Sequence, residues 1–296
     1  MRLGGPVYRD PGDPERFALA HKEKGYGAAY CPDGLKAGDT QRIRAYADAF
    51  AKHGVVVAEV GAWCNPMDPD ESASRRNIGY VAERLTLADE LGAVTCVNIV
   101  GSQNPKHWFG PCAKNFGSGF FDYAVEVSRK IIDIVKPARA KMSFEMLPYG
   151  FPDTAAEYLR FLAALDRKEA GIHFDPVNCI NSPRAYYGNA AYLAETIKLL
   201  GNGILSVHLK DLAMRDDTLS VMFDEVQIGA GGVDYVSLLK ELNALPADTP
   251  CMLEHLPDES AYDAAASAAR HFAEKAGVKF APVAWPSSLN ADGVRI

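Results

Sequence analysis

The sequence lacks a long hydrophobic run, a paired-cysteine pattern and an excess of basic residues, and each absence removes a class of protein. No apolar stretch approaches the ~18 residues that a membrane span needs, so no membrane partner is expected. Met1 to Asp10 carries an early arginine but no apolar core, so it does not read as a secretory signal. The six cysteines (Cys31, Cys64, Cys96, Cys112, Cys179 and Cys251) contain no C-x-x-C pair and no repeated spacing. Several sit in or just after apolar strand-like runs, which is how small buried hydrophobes are used in a reducing compartment. A cytoplasmic protein follows as the expectation. Lys and Arg number 31 against 38 Asp and Glu, for a formal net charge of −7. That balance argues against a surface built to neutralise a phosphate backbone, and so against nucleic acid as a partner.

Linkers are missing too. No Gly/Ser stretch, charge block or low-complexity tract divides the 296 residues, so one domain is expected. What is present is an alternation of strand-like and helix-like segments. Strand-like runs occur at Leu3–Tyr8, Gly27–Cys31, Val55–Val60, Val94–Val100, Lys141–Leu147, Gly171–Asp175, Ile204–Leu209 and Pro250–Leu256. Between them lie helical signals. Asp13-Pro14 is an N-cap followed by proline at the first helical position. Gly54 and Gly92 are C-cap signals for helices starting near Asp39 and Glu71. Ile78, Val81, Leu85 and Ala88 recur at helical spacing, as do Phe120, Ala124, Val127, Ile131 and Ile134. Later helices are expected at Asp153–Leu165, Ala190–Leu200, Tyr235–Leu242 and Glu259–Ala276.

Eight strand–helix units in 296 residues average 37 residues each, the arithmetic of an α/β fold of the (β/α)8 TIM-barrel type. An open doubly wound sheet would place a Gly-rich nucleotide loop after its first strand, and Tyr8 to Pro14 contains none. The expected organisation is a single barrel over residues 1–277 and an extended, Pro-containing C-terminal tail over residues 278–296. That tail would wrap the barrel or join a subunit contact in a homo-oligomer.

In such a barrel, chemistry sits at the C-terminal strand ends. Strands five to eight end with Glu145, Asp175, His208 and Glu254, at spacings of 30, 33 and 46 residues. The longer third interval contains an extra excursion, Ala213–Gly232. Three carboxylates and one imidazole at matched depth make a hard, oxygen-rich set. It suits one divalent metal ion, Mn²⁺ or Mg²⁺ first, with Co²⁺ or Zn²⁺ also accommodated. Burying those carboxylates together without a cation would be costly.

Substrate contacts are expected among the neighbours. His173 shares the inward face of Asp175 and is either a substrate contact or a satisfied core histidine. Lys210 shares a face with His208 and would either bind a substrate oxyanion or pair with Asp211. Asn178 would bind a sugar hydroxyl or cap the next segment. His255 would face away from Glu254 on a regular strand. Trp63, His107 and Trp108 lie in loops on the active face, where a tryptophan stacks on a sugar ring or closes the core rim. Gly229 to Gly232 is read as a turn before the next helix, with an anion cradle as the alternative.

Several runs together resemble the sugar isomerase/epimerase superfamily of xylose-isomerase-like TIM barrels. They are Phe144-Glu145, His173-Phe174-Asp175-Pro176-x-Asn178, His208-Leu-Lys210-Asp211, Gly229-Ala-Gly231-Gly-Val-Asp234-Tyr235 and Leu253-Glu254. That superfamily includes ketose 3-epimerases, hydroxypyruvate isomerases, inosose dehydratases and, more distantly, endonuclease IV. The resemblance implies a divalent-metal-dependent sugar isomerase or epimerase acting on a keto-sugar or polyol by proton abstraction through an enediolate. It makes Glu145, Asp175, His208 and Glu254 the metal set, with Glu145 and Glu254 also catalytic, flanking the substrate carbon from opposite faces.

Departures from the ketose 3-epimerases are specific. Phe151 stands where they carry a further Glu, and Asn178 where they carry a His. Met214 stands where they carry an Arg, with Arg215 one residue beyond as a candidate substrate contact. A lyase of the same superfamily, dehydrating an inosose or eliminating from a 3-keto-glycoside, is therefore the alternative. An endonuclease-like hydrolase ranks below both, because that branch uses a histidine-rich multi-zinc cluster and this chain has seven histidines. A non-catalytic subunit ranks with it.

Overall fold

The structure, a computed structural model, describes residues 1–281. Eight parallel strands close into a barrel: β1 (Arg2–Gly4), β2 (Ala28–Tyr30), β3 (Val56–Gly61), β4 (Thr95–Ile99), β5 (Lys141–Glu145), β6 (Ala170–Phe174), β7 (Ile204–Leu209) and β10 (Pro250–Leu253). Each strand pairs with the next barrel strand along the chain, and β10 closes the ring onto β1. The helices are α1 (Pro14–Glu23), α2 (Thr40–His53), α3 (Glu71–Leu91), α4 (Ser118–Val135), α5 (Ala155–Leu165), α6 (Pro176–Cys179), α7 (Pro183–Tyr187), α8 (Asn189–Leu200), α9 (Tyr235–Leu242) and α10 (Glu259–Ala276). The expected single-domain (β/α)8 barrel is what the described residues form. None of their helices is long and apolar enough to cross a membrane. Of the expected tail, residues 282–296 lie outside the described residues.

The end signals act as their chemistry predicts. Asp13 caps α1 by accepting from the Arg16 amide at 3.1 Å, and Gly54 and Gly92 end α2 and α3 in the left-handed region. Helix α5 starts two residues later than expected because Thr154 is its N-cap, accepting from the Glu157 amide. Two short helices lie outside the expected set. Helices α6 and α7 each open on a proline directly after a capping residue, Asp175-Pro176 and Ser182-Pro183, the same signal as Asp13-Pro14 in miniature. The first strand is shorter than the expected Leu3–Tyr8, since Pro6 has no N–H to give to a ladder. The last stops at Leu253 rather than Leu256, because His255 turns into the left-handed region with φ 58°.

The apolar core lies between strands and helices. Val81, Leu85 and Ala88 of α3, Ala124, Val127 and Ile131 of α4, and Phe161 and Leu165 of α5 are all buried. The α4 stripe ends at Ile132; Ile134 is exposed. The Tyr158 hydroxyl on α5 bonds the Phe144 backbone and the Gly171 carbonyl, tying β5 to β6 just below the strand ends. The inside of the barrel is different. In-register residues of parallel strands share a face, so Thr95, Ser143, His173, Ser206, Glu59 and His208 line the interior. Arg2 lies at its base, with Nε 2.9 Å from Asp248 and Nη1 3.0 Å from the Gly54 carbonyl.

The excursion after β7 is a β-hairpin, β8 (Asp211–Met214) paired antiparallel with β9 (Phe223–Val226). Its anchor is the buried carboxylate of Asp211. Oδ2 accepts from the Gly229 and Gly231 amides at 2.8 and 3.1 Å, and Oδ1 from the Leu212 and Val233 amides at 2.8 and 3.2 Å. The Gly229–Gly232 run is thus a turn around an internal anion. The amides an external phosphate would need are already taken, which overturns the cradle alternative.

Two predictions follow from these buried polar groups. Replacing Asp211 by Ala leaves four amides without their acceptor. It should destabilise the fold by about 3 kcal/mol, read as a lower urea midpoint. A midpoint within error of the wild type would show that the turn closes without it. His21 is buried with Nδ1 against the Phe17 carbonyl at 2.9 Å, and burial lowers its pKa to about 4. Below the unfolded value of 6.5 the unfolded chain binds a proton that the folded one refuses. Stability from this site is therefore intact above pH 6.5 and falls by on the order of 3 kcal/mol as pH drops to 4. A His21→Gln variant should show a shallower acid limb between pH 6.5 and 4, and an unchanged limb would refute the assignment.

Candidate metal centre

Backbone register brings the strand-end residues to one depth. Glu145 pairs across β5–β6 with His173, His208 pairs across β7–β10 with Met252, and Asp175 and Glu254 stand just past the ends of β6 and β10. Each of Glu145, Asp175, His208 and Glu254 offers a ligand atom, and these atoms all lie within 4.8 Å of one another. His208 Nδ1 is 3.0 Å from Glu254 Oε2 and 3.4 Å from Glu145 Oε1. Asp175 spends one oxygen on the chain, with Oδ1 accepting from the Val177 and Asn178 amides at 2.8 and 3.2 Å as the cap of α6. Its Oδ2 is left for the cluster. Asn178 donates from Nδ2 to Glu145 Oε1 at 3.0 Å and so aims that carboxylate.

Lys210 follows β7 and turns inward with His208. Its Nζ is 2.8 Å from Asp175 Oδ2, 2.9 Å from Glu254 Oε2 and 3.5 Å from Glu225 Oε1. The alternative of a Lys210–Asp211 pair is corrected by this geometry, since adjacent residues leave the strand on opposite faces. His255 does not face away as a regular strand would require. Its left-handed backbone brings Nδ1 to 2.8 Å from Glu225 Oε2, beside a cavity of about 250 Å³ lined by Lys210, Glu225, Gln227, Glu254 and His255.

Electrostatics divides the carboxylates. Burial pushes Glu145 up to about 7, against the pull of His208. Burial also disfavours charge on Asp175 and Glu254. There, however, Lys210 and His208 outweigh it and hold both below the usual carboxylate range. His208 is held well above its ordinary value, burial being outweighed by Glu254, Glu59 and Glu145. His173 goes the other way, to about 4, through burial and the neighbouring His208 charge.

The donor set fits a divalent cation on two observations. Asp175 Oδ2, Glu254 Oε2 and His208 Nδ1 are buried atoms that take part in no directed hydrogen bond, although charged neighbours stand close. All three belong to the same four residues. Three carboxylates and one imidazole also match hard cations, and the two internal cations, His208 and Lys210, leave the surrounding acids in excess.

The remaining sequence-derived candidates are dispersed. His173 is wholly buried beneath the cluster, with Nδ1 2.7 Å from Ser206 Oγ, and has no surface toward the mouth. His107 and Trp108 are exposed in the loop after β4; the His107 amide bonds Asn104 Oδ1, and Trp108 packs edge-on to Phe109. Arg215 pairs with Asp217 at 2.9 Å on the exposed hairpin. Trp63 is partly exposed above β3. None of these four contacts the cluster through a hydrogen bond or ion pair that the structure records.

Three residues at the site were missed. Glu59 is a lone acid in the apolar run Val55–Val60, and that break in the run is its only sequence signal. Tyr30, whose hydroxyl donates to the Leu253 carbonyl at 3.1 Å and whose ring faces His208, reads as an ordinary strand tyrosine. Glu225 had no signal, because only the hairpin carries it to Lys210.

A family model for the xylose isomerase-like TIM barrel matches residues 19–280. No curated protein matches the sequence at significant similarity. Among solved structures, the chain is similar to D-psicose 3-epimerase with D-tagatose from Clostridium cellulolyticum H10 (14% identity, 94% of this chain and 100% of that one, TM-score 0.67). It is similar to a xylose isomerase-like TIM barrel protein from Mycobacterium smegmatis in complex with magnesium (17%, 90% and 89%, TM-score 0.62). It is also similar to the probable 3-DHS dehydratase from Bacillus anthracis (12%, 90% and 96%, TM-score 0.62). At these identities the likeness is one of fold, and the match of the family model over most of the chain places it: the chain belongs to the xylose isomerase-like TIM barrel family.

Proposed function

We propose that this protein is a divalent-metal-dependent isomerase or epimerase acting on a keto-sugar or polyol. One observation carries the reading. Glu145 and Glu254 approach the same His208 nitrogen from β5 and from the end of β10, and their environments push their proton affinities apart. A substrate carbon between them would meet an ionised carboxylate able to take a proton and a second carboxyl able to return one. A cation held by Glu145, Asp175, His208 and Glu254, Mn²⁺ or Mg²⁺ before Co²⁺ or Zn²⁺, would supply Lewis-acid polarisation of the substrate carbonyl.

The chain's own residues do the rest. Lys210 holds a buried ammonium beside Asp175, Glu254 and the cavity, where it can donate to a substrate oxygen. Asn178 keeps Glu145 aimed inward. Glu225 and His255 form the rim through which a small polar molecule would enter. A sugar substrate is supported by the likeness to D-psicose 3-epimerase, which was solved with D-tagatose. A lyase is the second reading. The dehydratase neighbour and the absence of the ketose 3-epimerase residues at Phe151, Asn178 and Met214 favour it, and removal of the same proton can expel a β-leaving group.

Incubation in D₂O with ketoses, inosose and a 3-keto-glycoside distinguishes the two. Deuterated isomers are the expected product, and an unsaturated product would establish the lyase instead. Glu145→Gln and Glu254→Gln should each cut C–H exchange by about 10²–10⁴-fold; exchange at the wild-type rate in either variant would remove that residue from catalysis. Stripping divalent ions with a chelator should abolish turnover. Adding Mn²⁺ or Mg²⁺ back at about 100 times Kd should raise stability by about 2.7 kcal/mol and Tm by several degrees. Turnover unaffected by chelation would rule out the metal.

A further inference from the structure

Beneath the four-residue cluster lies a carboxylate that the proposed reaction does not use. Glu59 on β3 points into the barrel, is 2% exposed, and among the described residues meets no lysine or arginine at ion-pair distance. A bare carboxylate there is expensive unless its partners are well placed. Its neighbours are two histidines. Oε2 is 3.2 Å from His208 Nε2 and Oε1 is 3.5 Å from His173 Nδ1. His173 Nδ1 is already 2.7 Å from Ser206 Oγ, and the His173 ring stands edge-on to His208 with centroids 4.0 Å apart. His208 is therefore wedged from one side and bonded from below.

The chemistry of that bond decides where the His208 proton sits. An ionised carboxylate can only accept, so Nε2 keeps a hydrogen, and when a metal displaces the second proton of the ring it is Nδ1 that is bared. The opposite nitrogen, Nδ1, is fully buried and takes part in no directed hydrogen bond. It looks onto Glu254 Oε2 and Glu145 Oε1 at 3.0 and 3.4 Å. We infer that Glu59 is a positioning residue for the metal centre: it holds the His208 proton on Nε2 and the ring in place, so that Nδ1 is presented as the ligand. The inference rests on the metal-centre reading above and adds to it a residue outside the four ligands. Carboxylate partners of ligating imidazoles fix tautomer and raise basicity, and their loss weakens metal binding by about 10–100-fold.

Glu59, His173 and His208 could also be read as a second cation site, since their donor atoms lie within 4.8 Å of one another. That site would have to share His208 with the first, and it lies wholly inside the barrel. The positioning role uses the same geometry without a bridging imidazolate.

The test is Mn²⁺ titration of the wild-type protein and Glu59→Gln, with stoichiometry and Kd measured together and the metal-free Tm recorded for each. One Mn²⁺ per chain in both proteins, with Kd raised about 10–100-fold in the variant, is the expected result. An unchanged Kd, with the loss confined to the metal-free Tm, would overturn the inference and leave the metal centre standing. Two Mn²⁺ per wild-type chain and one in the variant would also overturn it, making Glu59 a ligand. No binding to the wild type would overturn both readings. A second measurement needs no variant: ¹⁵N-histidine NMR of the Mg²⁺-loaded wild type should show His208 protonated at Nε2 and not at Nδ1. The reverse tautomer would refute the inference even if Glu59→Gln does not fold.

Discussion

Carboxylates taken out of water within a few ångströms of one another repel and lose their hydration, and much of the upper barrel is arranged around that fact. Glu145, Asp175 and Glu254 sit at one depth with Glu59 below them, all buried except Glu254, which is half-buried at the cavity. Their compensation is unequal, with His208 and Lys210 shared among them. Asp175 accepts from two amides of the helical turn it caps and pairs with Lys210, Glu145 accepts from the Asn178 side-chain amide, Glu254 stands at ion-pair distance from Lys210 and His208, and Glu59 from His208 and His173. The unequal compensation leaves Glu145 inclined to hold a proton while its neighbours stay ionised. That inequality is what proton transfer between two carboxyls requires.

The rest of the fold can be understood as support for this arrangement. Hydrophobic stabilisation comes from the layer between strands and helices, which leaves the barrel interior free to carry polar residues. The column Ser206–His173–Glu59–His208 rises through that interior to the strand ends. The hairpin after β7 supplies Glu225 and is held by Asp211, whose four amide bonds keep the mouth wall in place. Two adjacent residues thus divide the work: Lys210 serves the site and Asp211 the loop, because consecutive side chains leave a strand on opposite faces.

Much of this was legible in the linear sequence. Helical stripes such as Val81, Leu85 and Ala88 and caps such as Asp13 and Gly54 are local features, and local sequence contains all they need. The convergence of Glu145, Asp175, His208 and Glu254 was legible because the barrel repeats, so equal positions in successive units reach equal depth. What stayed hidden involved contacts between units that are not equivalent. Glu59 meets His208 across 149 residues of chain, and Glu225 meets Lys210 only because a hairpin folds back. His255 departs from the orientation that strand alternation predicts, because past Leu253 one left-handed residue reverses the side chain.

By itself the sequence determined the eightfold repeat, the single domain and the identity of the four strand-end residues, because these follow from periodicity, capping and composition, all short-range properties of a chain. The tertiary structure alone decided the protonation bias of those residues and which neighbours serve them. Those depend on burial and on charges within a few ångströms in space, and the same aspartate or histidine behaves oppositely in water and in the floor of a closed barrel.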